Sequence, residues 1–94
     1  MKLSKPITAH GETIEEITLK RPTVAQARKI GELPYRITED GMPQPVLETA
    51  CRYVAACADI PPSSVDQLEL NDLNALVWEV VGFFVSGSSA ASSN

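Results

Sequence analysis

Residues 70–85 read L-N-D-L-N-A-L-V-W-E-V-V-G-F-F-V. At ~100° per residue, Leu73, Leu76, Val77, Val80, Phe83 and Phe84 gather on one face of a helix, whereas a strand would scatter them to both sides. The stretch is therefore predicted to be the core helix. A second stripe, Asn74, Trp78, Val81 and Val85, runs beside that face at i, i+4, i+7, i+11 spacing. Apolar surface then wraps most of the cylinder, and Asp72, Glu79, Ser86, Ala75 and Gly82 mark the wet side. A surface helix of a small domain needs an apolar stripe of only about 100°. This one is built to touch two things, the second being either its own chain or another.

Upstream, Val46, Leu47, Ala50, Cys51, Tyr53, Val54, Cys57 and Ala58 fall within an arc of about 160°. A helix is predicted from Pro45, which suits the first helical position, to Ala58. Glu48 and Arg52 lie i, i+4 on its outer side in the favourable order. Ile60-Pro61-Pro62 stops it. Ser64 with Gln67 matches a capping box opening one turn over 65–68, and Asn71 is a good N-cap for the last helix. Asp72 then lies in the first turn, at the positive end of the helix dipole.

At the N-terminal end, residues 3–8 read as an edge strand containing Pro6. Ala9-His10-Gly11-Glu12 is a tight turn in which Gly11 supplies a positive φ, and residues 13–20 form the return strand. Ile17 and Leu19 alternate there while Ile14 is out of phase, which predicts a bulge near Glu15-Glu16. Thr23 and Gln26 match a capping box for a short helix, Val24–Ile30, closed by Gly31, with Val24, Ala27 and Ile30 as its narrow apolar face. Residues 32–43 hold two prolines and an Asp-Gly pair and read as a loop. Its Leu33, Tyr35 and Ile37 either pack back onto the core or await a partner. The expected fold class is α+β, an N-terminal β-hairpin packed on a small bundle of about three to four helices. It makes a single domain over 1–86, followed by a disordered Ser/Ala-rich tail, 87–94.

The chain has 94 residues, is 44% hydrophobic and 21% charged, and carries a net charge of −4. Residues 1–58 hold all 8 basic residues against 7 acidic ones, and residues 59–94 hold 5 acidic and no basic ones, so the chain is lopsided, +1 then −5. Lys20-Arg21 and Arg28-Lys29 are the nearest approach to the basic surplus of a nucleic-acid binder, and they read as a solvated rim. Pro6, His10, Gly11 and Glu12 interrupt any secretory apolar core, so a cytoplasmic protein is expected. The longest apolar run, broken by Glu79, is far short of the ~20 residues a membrane span needs. Cys51 and Cys57 sit about 120° apart around a helix, too far to bridge. With one His and no C-x-x-C there is no metal-ligand pattern; both cysteines read as reduced, buried hydrophobes. No cofactor motif and no catalytic constellation emerges. His10 has no Ser or Cys partner by spacing, and Glu15-Glu16 and Glu39-Asp40 read as solvated charges. The chain reads as a binding module rather than an enzyme. The candidate partner-binding surface, for self-association and for a helical client, is the margin Trp78, Val81 and Val85 with Leu33 and Tyr35. The competing reading folds the loop over Trp78 to complete an internal core.

L-S-K-P-I (3–7), G-E-T-I-E-E-I-T-L-K-R-P-T (11–23), the A-C-R-Y-V helix and D-I-P-P-S-S-V-D-Q-L-E-L-N-D-L (59–73) with its V-G-F-F end carry a resemblance. The chain resembles the tail assembly chaperones of contractile-tailed, Mu-like and P2-like bacteriophages and prophages. That likeness implies a non-enzymatic role, coating the tape-measure protein and keeping it soluble until tail tube subunits polymerise around it. It also implies the tape-measure and tail tube proteins as partners in the host cytoplasm. Family members are often made in two lengths by frameshifting. The alternative is a small cytosolic regulatory or adaptor protein dimerising through its C-terminal helix, with a nucleic-acid binder using Lys20, Arg21, Arg28 and Lys29 behind it.

Overall fold

A computed structural model describes residues 1–85; the expected tail, 87–94, lies outside them. The element order is β1 (Lys2–Ala9), β2 (Glu12–Glu16), α1 (Val24–Ile30), β3 (Tyr35–Ile37), β4 (Pro43–Pro45), α2 (Leu47–Ala58), α3 (Pro62–Val65) and α4 (Leu70–Val85). Two separate antiparallel pairs, β1-β2 and β3-β4, accompany the four helices. The fold is α+β, with the N-terminal hairpin on a helical bundle.

α4 is the predicted core helix. Leu76 and Val80 are fully buried on it, against Tyr53, Val54 and Cys57 of α2 and the hairpin residues Leu3, Ile7 and Ala9. The hairpin turns through His10 (φ 54) and Gly11 (φ 78), a two-residue turn with both central residues left-handed, which matches the strand twist. α1 starts at the predicted capping box, Thr23 Oγ1 accepting from the Gln26 N–H at 3.1 Å and Gln26 Oε1 from the Thr23 N–H at 2.9 Å. Gly31 closes it at φ 86. Val24, expected on its apolar face, is 76% exposed.

Five further details depart from the sequence reading. The hairpin irregularity lies in β1: Lys2 pairs with Glu16 and Ile7 with Ile14, so Leu3 to Pro6 face the single residue Glu15. Pro6 has no N–H to pair, and that of Ser4 goes to Asp72 instead. Secondly, β2 ends at Glu16. Ile17 still exchanges two bonds with Met1 (2.7 and 2.9 Å) and Lys20 donates to the Cys57 carbonyl at 3.0 Å, docking this stretch on the end of α2. Thirdly, the expected loop contains the β3-β4 ribbon, Tyr35 opposite Pro45 and Ile37 opposite Pro43, turned through Gly41 at φ 81. Pro45 is thus a strand residue, and α2 opens two residues later with Val46 as its cap. Fourthly, α3 starts at Pro62 and Ser64 does not cap it; the Ser64 hydroxyl donates to the Thr8 carbonyl at 2.7 Å, and the Gln67 amide brackets Thr8 from both sides (2.8 and 3.1 Å). Lastly, the first backbone bond of α4 runs from the Leu73 N–H to the Glu69 carbonyl, which puts Asn71 inside the helix.

Asp72 is the main correction to the wet side. It is buried, and its carboxylate accepts from the Ser4 N–H at 2.7 Å and the Ser4 hydroxyl at 2.9 Å, while the Asn71 amide donates to that hydroxyl at 3.0 Å. These bonds clip the hairpin to the start of α4. Asp72→Ala strands both Ser4 donors and is expected to cost about 2 kcal/mol, read as a lowered urea midpoint. Ser4→Ala keeps the backbone bond and should cost less. Equal, near-zero losses in both variants would show that the clip contributes nothing.

Candidate partner-binding surface

The N-terminal half of α4 leaves part of its apolar surface uncovered. Leu70, Asn74 and Trp78 follow one another at i, i+4, i+8 along it, and the start of α2 and the end of β4 stand alongside. Together Gln44, Pro45, Leu47, Leu70, Leu73, Asn74, Val77 and Trp78 line an open groove of about 470 Å³. Val77 is buried and Leu73 half-buried, forming its floor. Leu70 (83%), Leu47 (60%) and Trp78 (47%) stand exposed at its edges. Large apolar side chains clustered around a concavity mark an interaction site, whereas scattered ones do not.

Of the five residues singled out in the sequence, the structure brings only Trp78 to this groove. Val81 is 1% exposed and packed inside; a step of about 100° per residue carries it past the margin onto the buried face. Val85 is exposed at the far end of α4, and Leu33 is exposed ahead of β3. Tyr35 is half-buried with its ring 6.1 Å from that of Phe84, one strand removed from the groove through its pairing with Pro45. The 32–45 segment therefore reaches the groove through Gln44 and Pro45 and leaves Trp78 open. Leu47 and Leu70 were missed. Leu70 lies one helical turn before the Asn74-Trp78 stripe and is reached by extending it, but the exposure of Leu47 depends on α2 starting at Leu47 rather than at Pro45.

The family model described as phage tail assembly chaperone proteins, E, or 41 or 14, matches residues 1–85. The chain belongs to the phage tail assembly chaperone family. No curated protein and no solved structure matches it. The matched span includes every residue of the groove.

The remaining chemistry of this chaperone-family chain is quiet. Cys51 and Cys57 are free thiols. Burial, with the Glu79 carboxylate adding to it, pushes Cys57 up to about 11. Cys51 is raised by burial and then by Glu48 and Asp66, and the Tyr53 phenol by burial and then by Cys57. Both thiols thus stay protonated at neutral pH, unlike a nucleophilic cysteine. His10 lies in the exposed turn, Nε2 donating to the Asp59 carbonyl at 3.1 Å. Among the described residues no group of three His, Cys, Asp or Glu side chains is placed to hold a metal ion, and no helix is long and apolar enough to cross a membrane.

The raised Cys57 value has a sign. The native state favours the neutral thiol, so its contribution is complete below the ordinary value of 9.0 and is lost as pH climbs towards about 11. Stability should fall by about 2 kcal/mol over that range. Urea unfolding of the wild type and of Cys57→Ala at each end checks it: the excess loss in the wild type should vanish in the variant, and equal slopes in both would refute the assignment.

Proposed function

We propose that this chain binds the tape-measure protein of its phage and keeps it in solution while the tail tube assembles, acting in the host cytoplasm by binding and not by catalysis. The supporting observation is the uncovered groove around Trp78. It is apolar and open, and its length along α4 from Leu70 to Trp78 is about 12 Å at 1.5 Å per residue, which suits about two turns of an amphipathic helix laid into it. Long helical proteins awaiting assembly expose such faces, and a chaperone that covers them competes with aggregation.

Co-expression tests the reading. The tape-measure protein encoded beside the tail genes should be insoluble alone, soluble with this chain, and should elute together with it. A tape-measure protein that remains insoluble, or that is soluble without ever associating with the chain, would overturn the proposal.

A further inference from the structure

Five amide side chains lie among the described residues: Gln26, Gln44, Gln67, Asn71 and Asn74. Three are spent inside the fold, Gln26 on the Thr23 N–H, Gln67 on Thr8 and Asn71 on the Ser4 hydroxyl. Gln44 and Asn74 bond to no described residue, and both line the groove around Trp78. The one other hydrogen-bonding side chain there is the Trp78 indole, a helical turn from Asn74 and also without a partner among the described residues. The rest of the lining is apolar. In the free protein water serves these exposed amides. A helix with an unbroken apolar stripe would strip that water away and leave them buried and unpaired, which opposes binding.

The backbone beside the groove favours a helix over an extended segment. The ribbon bonds from the Thr38 N–H to the Met42 carbonyl and from the Val46 N–H to the Pro34 carbonyl set the alternation along β4. Pro43 and Pro45 therefore hold the positions whose N–H would point away from β3. Proline has none, so an added strand finds no donor on that edge. Charge narrows the occupant further. Glu69, exposed beside Leu70, has no basic partner among the described residues, and Glu48, exposed beside Leu47, meets Arg52 at 3.7 Å. Residues 59–85 hold five acids and no base, so α4 of a second copy would bring like charge against like.

We propose that the helix seated in this groove carries one asparagine or glutamine within its apolar stripe, held between Gln44 and Asn74, and lysine or arginine at its flanks. This rests on the groove being the client's seat and adds how a client segment is chosen. A single amide in an apolar seam specifies register. Slipped by one turn, the client would leave its own amide and those of Gln44 and Asn74 all unpaired. A long helical protein offers many apolar stripes, and this requirement admits few of them.

Trp78 is the chain's only tryptophan, so its emission reports whether a tryptophan-free ligand fills the groove. The probe is a synthetic helical peptide of about four turns with leucine along one face and lysine at its flanks. In its variants each stripe leucine in turn is asparagine. At one position asparagine should bind wild type at least as tightly as the all-leucine parent; at the others it should weaken binding about tenfold or more. In Gln44→Ala/Asn74→Ala the favoured position should become as costly as the rest while the parent binds undiminished. Both replaced side chains are exposed, so this variant should melt with the wild type. Glutamate in place of the flanking lysines should weaken binding about fivefold or more at about 0.05 M salt. Asparagine equally costly at every position, a favoured position indifferent to the loss of both amides, or glutamate flanks that bind as well as lysine would refute the proposal and leave the groove as the client's seat. Emission that no peptide shifts would remove the seat itself and this inference with it. Emission that shifts with protein concentration alone would assign the groove to a second copy and equally overturn the proposal.

Discussion

Tyr53→Ala should cost about 3–5 kcal/mol of folding stability, a large share of the 5–15 kcal/mol on which a natural domain typically rests. Tyr53 is fully buried in α2, and its ring meets the Phe84 ring edge-on at 5.2 Å and 83°. Its hydroxyl donates to the Glu32 carbonyl at 2.7 Å. One side chain therefore joins the end of α4 to the segment between α1 and β3, and the neighbouring Thr49 reinforces that segment through the Glu32 carboxylate at 2.8 Å. Truncation removes the ring, opens a cavity beside Phe84 and leaves the Glu32 carbonyl without its donor. Tyr53→Phe isolates the last of these and should cost about 1–2 kcal/mol. Urea unfolding of the pair checks the assignment. A Tyr53→Ala midpoint close to wild type would mean that the core closes over the gap, and that α4 is not held at this point.

What the sequence revealed of this architecture follows the range of the interactions involved. Thr23 and Gln26 cap α1 from three residues apart, and the 3.6-residue period of 70–85 needs no partner to be seen, so these elements were legible. Ser64 and Gln67 carry the same local pattern, yet their side chains are spent on Thr8, 56 and 59 residues away. Asp72 likewise looked like a solvated first-turn acid because its partner, Ser4, is 68 residues distant. The β3-β4 ribbon was hidden by its prolines, which argue against a central strand but are tolerated in a two-stranded ribbon whose outer edges are unpaired. At the site, the excess apolar arc of α4 was sufficient to single out Trp78. It could not separate Trp78 from Val81, since which edge of a broad arc is covered depends on where α2 and β4 lie.

That distinction makes Trp78→Ala the decisive experiment on the groove. A buried tryptophan would lose about 3–5 kcal/mol of stability on truncation. Trp78 is about half exposed at the groove's edge and is touched by no described aromatic ring, so its truncation should cost roughly half as much, about 2 kcal/mol. Binding responds in the opposite sense. Aromatic anchors dominate interfaces of this kind, and removing one typically costs about 2 kcal/mol or more, roughly 30-fold in affinity. The variant is therefore expected to remain folded and to fail in keeping the tape-measure protein soluble on co-expression. Val81→Ala supplies the mirror image. Its side chain is inside, so the loss should appear in the melt, about 1–2 kcal/mol for two buried methyl groups, with the client still held by whatever protein remains folded. If Trp78→Ala unfolds, Trp78 belongs to the core. If it folds and still holds the client in solution, the client binds elsewhere, and the groove formed by Leu47, Leu70 and Trp78 is not its seat.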